Sequence, residues 1–202
     1  MKKKISKWMV IAAVMTMASA VIAQVKTGGQ APGFSLPDIH GNVNSLSSFA
    51  GKYVVLEWNN HDCPFVVKHY DTGNMQALQK DAADKGVIWL TICSSAPGKQ
   101  GNFSPEEHQK ILAKKGFSGV AYLLDVDGKV GRLYAAKTTP HMFIINPEGK
   151  VIYQGAIDDD SSAKKESIKT ANNYVSAALE AALNGEEVEV STTAPYGCSV
   201  KY

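Results

Sequence analysis

The sequence predicts an α/β fold: a central, mostly parallel sheet with an antiparallel edge hairpin and helices on both faces. Three observations carry this expectation. Strand-like runs alternate with helix-period segments between residues 53 and 124, the order that parallel strands joined by crossover helices require. Two of those runs, Val87 to Ile92 and Val120 to Leu124, are almost wholly apolar, with Thr91 the one hydroxyl-bearing aliphatic residue in them, as in strands buried on both faces. Later, Met142 to Ile145 and Lys150 to Gln154 flank Asn146-Pro147-Glu148-Gly149, a hairpin pattern.

The elements follow in order. Lys2, Lys3, Lys4 and Lys7 precede an apolar stretch from Trp8 to Ala23 that ends in small residues, the pattern of a bacterial secretory signal. Cleavage is expected after Ala23, with Ala20 the alternative, giving an exported, periplasmic protein. The apolar stretch is short for a membrane span, and no cysteine follows it as a lipid-anchoring site. Residues 24–33 read as a Gly-rich linker, 34–185 as one domain, and 186–202 as a tail carrying Cys198.

Within the domain, Phe34 to Leu36 and Val43 to Leu46 read as short strands around the turn Asp38-Ile39-His40-Gly41. Tyr53 to Trp58 is the first long strand, and Asn59 to Asp62 a polar turn. A helix is expected from Pro64 to Ala83, with Gly73 marking a kink or break. Ser94 to Phe103 reads as a loop. Ser104-Pro105-Glu106-Glu107 opens the next helix with a capping box, and Gly116 closes it. Val130 to Ala136 is a short helix. Lys165 to Leu183 is the last, with Ile168, Ala171, Val175, Leu179 and Ala182 at helical spacing.

Composition narrows the function. The chain has 21 basic and 19 acidic residues; without the four lysines of the leader, 17 face 19. Arg132 is its one arginine, and no basic stripe interleaved with aromatics occurs, so nucleic acid is not an expected partner. Three cysteines, Cys63, Cys93 and Cys198, are too few for a disulfide scaffold. An odd number in an oxidising compartment favours redox chemistry.

Cys63 stands where a strand hands over to a helix. Pro64 suits the first helical position, so Cys63 meets unpaired backbone N–H groups and the positive end of the helix dipole, which favour the thiolate. His61 reads as a polarising neighbour and His69 as a surface residue of the helix. Cys198 is assigned as a resolving thiol on a flexible tail, with a structural or intermolecular disulfide as the alternative. Cys93 closes an apolar strand and reads as a buried, inert thiol. His61, His69, His141 and Cys63 lack the paired spacing of a zinc site, and no metal is assigned. Asp125-Val126-Asp127-Gly128 is a turn without the later glutamate of a calcium loop. Asp158-Asp159-Asp160 reads as a solvated loop.

Ala31 to Asp38, followed by Gly41, Leu46 and Gly51-Lys52, resembles the entry segment of the thioredoxin-like redoxin family, the alkyl hydroperoxide reductase and thiol-specific antioxidant proteins. Cys63-Pro64 is similar to their reactive cysteine, and Thr139-Pro140 to the cis-proline that faces it. Asn59 to Val67, with the ending Gly197 to Tyr202, resembles a peroxiredoxin-like subgroup. The resemblance implies a thioredoxin-like fold and thiol chemistry with no cofactor. Cys63 and Cys198 would be catalytic, and Asn60, His61, Pro64, Thr139 and Pro140 would form the substrate face. The implied partners are a thiol reductant, such as a thioredoxin-like protein, and a disulfide-containing protein or a peroxide.

Three positions depart from the family patterns. Val66 replaces the second cysteine of Cys-x-x-Cys, Asn60 stands where peroxiredoxins carry threonine, and Pro140 occupies their arginine position. Thiol–disulfide exchange is therefore expected ahead of peroxide reduction. The alternative from another class is a non-catalytic module that binds a polypeptide or a metal.

Overall fold

The computed structural model describes residues 25–202; the expected signal sequence and its cleavage site lie outside the described residues. β1 (Ser35–Pro37) and β2 (Val43–Ser45) form an antiparallel pair ahead of the main sheet. Then come β3 (Val54–Trp58), α1 (Pro64–Asp71), α2 (Asn74–Asp84), β4 (Ile88–Cys93), α3 (Pro105–Lys115), β5 (Ala121–Leu124) and α4 (Lys129–Leu133). β6 (Thr138–Thr139), β7 (His141–Ile145), β8 (Val151–Gly155), α5 (Tyr174–Leu183) and β9 (Cys198–Ser199) complete the order.

The five-stranded sheet runs β5-β4-β3-β7-β8. β3, β4 and β5 are mutually parallel, and the β7–β8 hairpin joins β3 through antiparallel β7. This is the α/β, thioredoxin-like architecture expected. Alternate residues of each strand feed two cores. Leu56, Trp58, Leu90, Ile92, Leu123 and Phe143 pack with Tyr134 and the N-terminal segment on one face. Val55, Trp89, Met142, Ile144 and Tyr153 pack against α1, α2 and α5 on the other.

One expectation resolves, the kink or break at Gly73 being a break, and three change. The helix from residue 64 is two helices, because Gly73 adopts a left-handed φ of 76° at the start of α2, a conformation glycine tolerates best. The last helix begins at Tyr174, after a separate 3-10 turn over Lys165–Lys169. Asn173 caps it by accepting from Ser176 N at 2.9 Å, and Asn172 is tied to Asp159. The segment read as a linker is tied along β8: Gly28 N donates to Val151 O at 2.7 Å and Val151 N to Gly29 O at 2.9 Å. The tail read as flexible is docked, through Gln154 N to Ser191 O, Val200 N to Lys137 O and Ala96 N to Lys201 O.

Candidate active site

β3 ends at Trp58, level with His141 of β7, so the turn after β3 and the residues before β7 come together. Cys63 is the N-cap of α1 and Pro64 the first helical residue. Asn60 sets the turn: its Oδ1 accepts from Asp62 N at 3.0 Å, its carbonyl accepts from Cys63 N at 3.0 Å, and its Nδ2 donates to Gln100 O at 3.3 Å. The side chain that replaces threonine is thus spent on backbone. Pro64 is exposed, whereas Thr139 and Pro140 are buried beside Cys63. The Thr139–Pro140 peptide is cis.

The thiol of Cys63 is fully buried and donates to Thr139 O at 2.9 Å. Thr139 also carries a buried hydroxyl without a partner. β9 lies antiparallel on β6, with Cys198 opposite Thr139, the residue whose carbonyl the Cys63 thiol meets, so the two cysteines are near enough for each to shift the other's acidity. All three cysteines are free. Burial alone would push the Cys63 thiol up. The Thr139 hydroxyl, the Cys198 thiol and the N–H groups of Cys198 and Val66 outweigh it and hold Cys63 below an ordinary cysteine. Cys198 moves the other way, to about 11, through burial and the neighbouring Cys63.

Other expected residues stand elsewhere. His61 stacks on Tyr122 with ring centres 5.0 Å apart and lies 5.2 Å from the His108 ring. Burial, reinforced by His108, lowers its pKa to about 3. The imidazole is neutral, turned into an aromatic cluster, and does not polarise the thiolate. His69 is fully buried rather than at the surface. It meets Tyr196 OH at 3.3 Å, Asn74 Nδ2 at 2.8 Å and Asp158 at 3.8 Å. Asp158 is buried, not solvated, and accepts from the Tyr196 hydroxyl. Cys93 is buried at the end of β4, with its thiol on Gly101 O at 3.4 Å and its pKa raised by burial.

Some residues that shape the site escaped the sequence reading. Lys68 of α1 is fully buried, donates to Asp160 O at 3.0 Å and lies over the Tyr196 ring. Tyr202 rests against Gly128 and Gly131, where any Cβ would come within 2.6 Å of its ring. Its hydroxyl donates to Ala136 O at 2.8 Å, and Arg132 covers its ring at 4.5 Å. Tyr196 and Tyr202 flank Gly197-Cys198 in the tail, and aromatics around a glycine-cysteine pair are the signal that a docked segment would leave.

A helix start that favours a thiolate, a second cysteine across the same threonine and an unpartnered hydroxyl nearby are features suited to thiol chemistry, on a thioredoxin-like fold. The chain belongs to the AhpC/TSA family, whose model matches residues 27–154, a stretch that includes Cys63, Thr139 and Pro140 but ends before Cys198. It is an oxidoreductase of the thiol class. It is 26% identical over 147 residues to the thiol-disulfide oxidoreductase ResA of Bacillus subtilis, covering 68% of this chain and 73% of that protein. An uncharacterized conserved protein from Geobacillus kaustophilus has a TM-score of 0.74 at 29% identity, over 89% of this chain and 94% of the other. A putative thiol:disulfide interchange protein DsbE from Chlorobium tepidum has a TM-score of 0.58 at 25% identity, over 79% and 99% of the two chains.

Proposed function

We propose that this protein is an exported thiol–disulfide oxidoreductase whose redox pair is Cys63 and Cys198. The observation that carries the reading is the β6–β9 register, which puts Cys198 opposite Thr139 while the Cys63 thiol contacts the same residue. Cys63 as thiolate attacks one sulfur of a substrate disulfide, forming a mixed disulfide and releasing the first substrate thiolate. Cys198 then attacks the Cys63 sulfur, closing the internal disulfide and releasing the second. A thiol reductant, such as a thioredoxin-like protein, reverses the cycle. It meets Cys198 more readily, because Cys198 is partly exposed and Cys63 is buried. Cys63, the more acidic thiol, is then the better leaving group. Export rests on the basic and apolar pattern of residues 2–23.

The test is mass mapping after mild oxidation. Cys63–Cys198 is the expected bond, with Cys93 recovered alkylated; a predominant Cys63–Cys93 bond would overturn the pairing. Peroxide reduction is the second reading, favoured by the unpartnered Thr139 hydroxyl at the sulfur. Against it, Arg132 is committed to Tyr202 and Asp127 O, so the site lacks a guanidinium donor for the departing oxygen. A second-order constant with hydrogen peroxide above about 10⁵ M⁻¹s⁻¹, within the range of efficient enzymes, would establish the peroxidase instead.

A further inference from the structure

Two buried imidazoles meet beside the turn that carries Cys63. His61 belongs to that turn, and His108 comes from α3. Their ring centres lie 5.2 Å apart, and both pack on Tyr122, at 5.0 Å and 4.9 Å respectively. Phe103 closes the cluster. Inside it, His61 Nε2 and His108 Nδ1 are buried without a hydrogen-bond partner. A proton added to either ring would therefore place a charge in an apolar site with no acceptor beside it. The cluster is fastened to the redox turn and to Cys93. Tyr122 OH donates to Asn59 Oδ1 at 3.1 Å. Asn60 Nδ2 donates to Gln100 O at 3.3 Å, Gln100 Nε2 to Asp62 O at 3.4 Å, and the Cys93 thiol to Gly101 O at 3.4 Å. Gly101, at φ 84°, lies so close to Asn60 that any Cβ there would meet its carboxamide. Turn, loop and Cys93 are thus tied into one unit.

The ionisable groups around the pair give a proton little help. Cys93 of β4 and Tyr122 of β5 are buried and held neutral. Lys115 of α3 repels a charge on His61. Glu107 of α3 attracts one on His108, but it is exposed and its carboxylate accepts from Ser104 N. Asp62, in the turn itself, is exposed. Burial accordingly lowers His61 to about 3 and His108 to about 4.

We propose that His61 and His108 form an acid-sensitive clasp on the redox turn: their protonation opens residues 59–62 and the 94–103 loop, disorganises the start of α1 at Cys63 and uncovers Cys93. His108 is then a positioning residue for Cys63, acting through the His61 ring. The open state takes up protons near the ordinary histidine pKa of about 6.5, and the closed state only at the lower values. The clasp is therefore closed above about pH 6.5 and loosens as the pH falls below it. Two such groups raise the opening equilibrium by nearly a hundredfold per pH unit at the steepest, and by about five-hundredfold between about pH 7 and about pH 5.

The test uses the full chain carrying Cys63→Ser and Cys198→Ser, so that Cys93 is the one thiol and the result is independent of the redox reading. Serine is a good N-cap and preserves the start of α1. The rate of Cys93 with a dipyridyl disulfide, which reacts with thiols in acid, is followed from about pH 7 to about pH 5. Division by the rate of the urea-unfolded protein at the same pH gives the open fraction. That fraction is expected to rise about five-hundredfold in this parent, about twentyfold in His108→Phe or His61→Phe, and less than about threefold when both are replaced. Phenylalanine keeps the ring and removes the proton site, so a merely structural role would leave the pH slope unchanged. Circular dichroism at neutral pH reports the fold, and His108→Gln and His61→Gln, polar and uncharged, serve should phenylalanine overpack the cluster. A flat open fraction in the parent, or a steep rise that survives replacement of both histidines, would overturn the clasp; the second outcome would move the proton uptake to His69, His141 or global unfolding.

Discussion

Thr139 governs Cys63 through two groups with opposite effects. In the thiol form its carbonyl accepts the S–H at 2.9 Å, and a thiolate there would face a lone pair rather than a proton. Its hydroxyl is buried, has no hydrogen-bond partner while Cys63 is a thiol, and favours the ionised sulfur. Ionisation therefore exchanges a carbonyl partner for a hydroxyl donor on the same residue. Thr139→Val keeps the shape and the carbonyl but removes that donor. A hydrogen bond to a charged group is worth about 1.5–3 kcal/mol, or roughly one to two pH units at 1.36 kcal/mol each. The Cys63 pKa should rise by that amount, and the thiolate fraction at neutral pH should fall with it. Thiolate absorbance followed against pH in the Cys198→Ser background measures this without requiring access to the buried sulfur. An unchanged midpoint would show that the helix start and the backbone N–H of residue 198 set the acidity without the hydroxyl.

The elements beneath the site depend on a carboxylate that strand periodicity does not announce. Glu57 interrupts the apolar run of β3 and is fully buried between the sheet and α1–α2. It accepts from Asn59 Nδ2 at 2.8 Å, Trp89 Nε1 and Thr91 Oγ1 at 3.0 Å each, and Tyr70 OH at 3.1 Å. Burial raises its pKa against the pull of these donors. Glu57 thus joins β3, β4 and α1 just before the turn that carries Cys63. Glu57→Leu leaves several buried donors unpaired, and at about 1–3 kcal/mol for each orphaned group the loss should reach about 3–5 kcal/mol in urea titration. Glu57→Gln, which keeps one acceptor oxygen, should fall between that variant and the native protein. A loss below about 1 kcal/mol for the leucine variant would mean the network contributes little. The strands themselves were legible because their periodicity is local, as were Pro64 and the Ser104–Glu107 cap, whose partners lie within a turn. The start of α5 was not: Lys165 to Thr170 has helix-forming residues, but Asn172 and Asn173 answer to Asp159 and to their own cap.

At the scale of the whole molecule, the tail lies docked beside Cys63, and this was the least legible part of the sequence. Cys63, Thr139 and Pro140 could be marked because each sits in a local pattern. The meeting of Cys63 with Cys198, 135 positions away, depends on long-range partners: Tyr196 with Asp158 and His69, Tyr202 with two glycines, and β9 with β6. The polar composition of the tail gave mobility, not docking, as the natural expectation. Docking has a thermodynamic consequence. Because the reduced fold already brings both cysteines to Thr139, the internal disulfide should form with little rearrangement. It then removes the freedom of a loop of more than a hundred residues from the unfolded chain. Loop-closure entropy for such a length is worth about 4–5 kcal/mol, and native disulfides deliver about 2–4. The oxidised protein should therefore resist denaturant more than the reduced protein by about 2–4 kcal/mol, with Cys198→Ser matching the reduced form under both conditions. Paired urea titrations with and without dithiothreitol provide the comparison. If oxidation left the midpoint unchanged or lowered it, the two thiols would not be held in a bonding arrangement, and the tail would have to move before the pair could close.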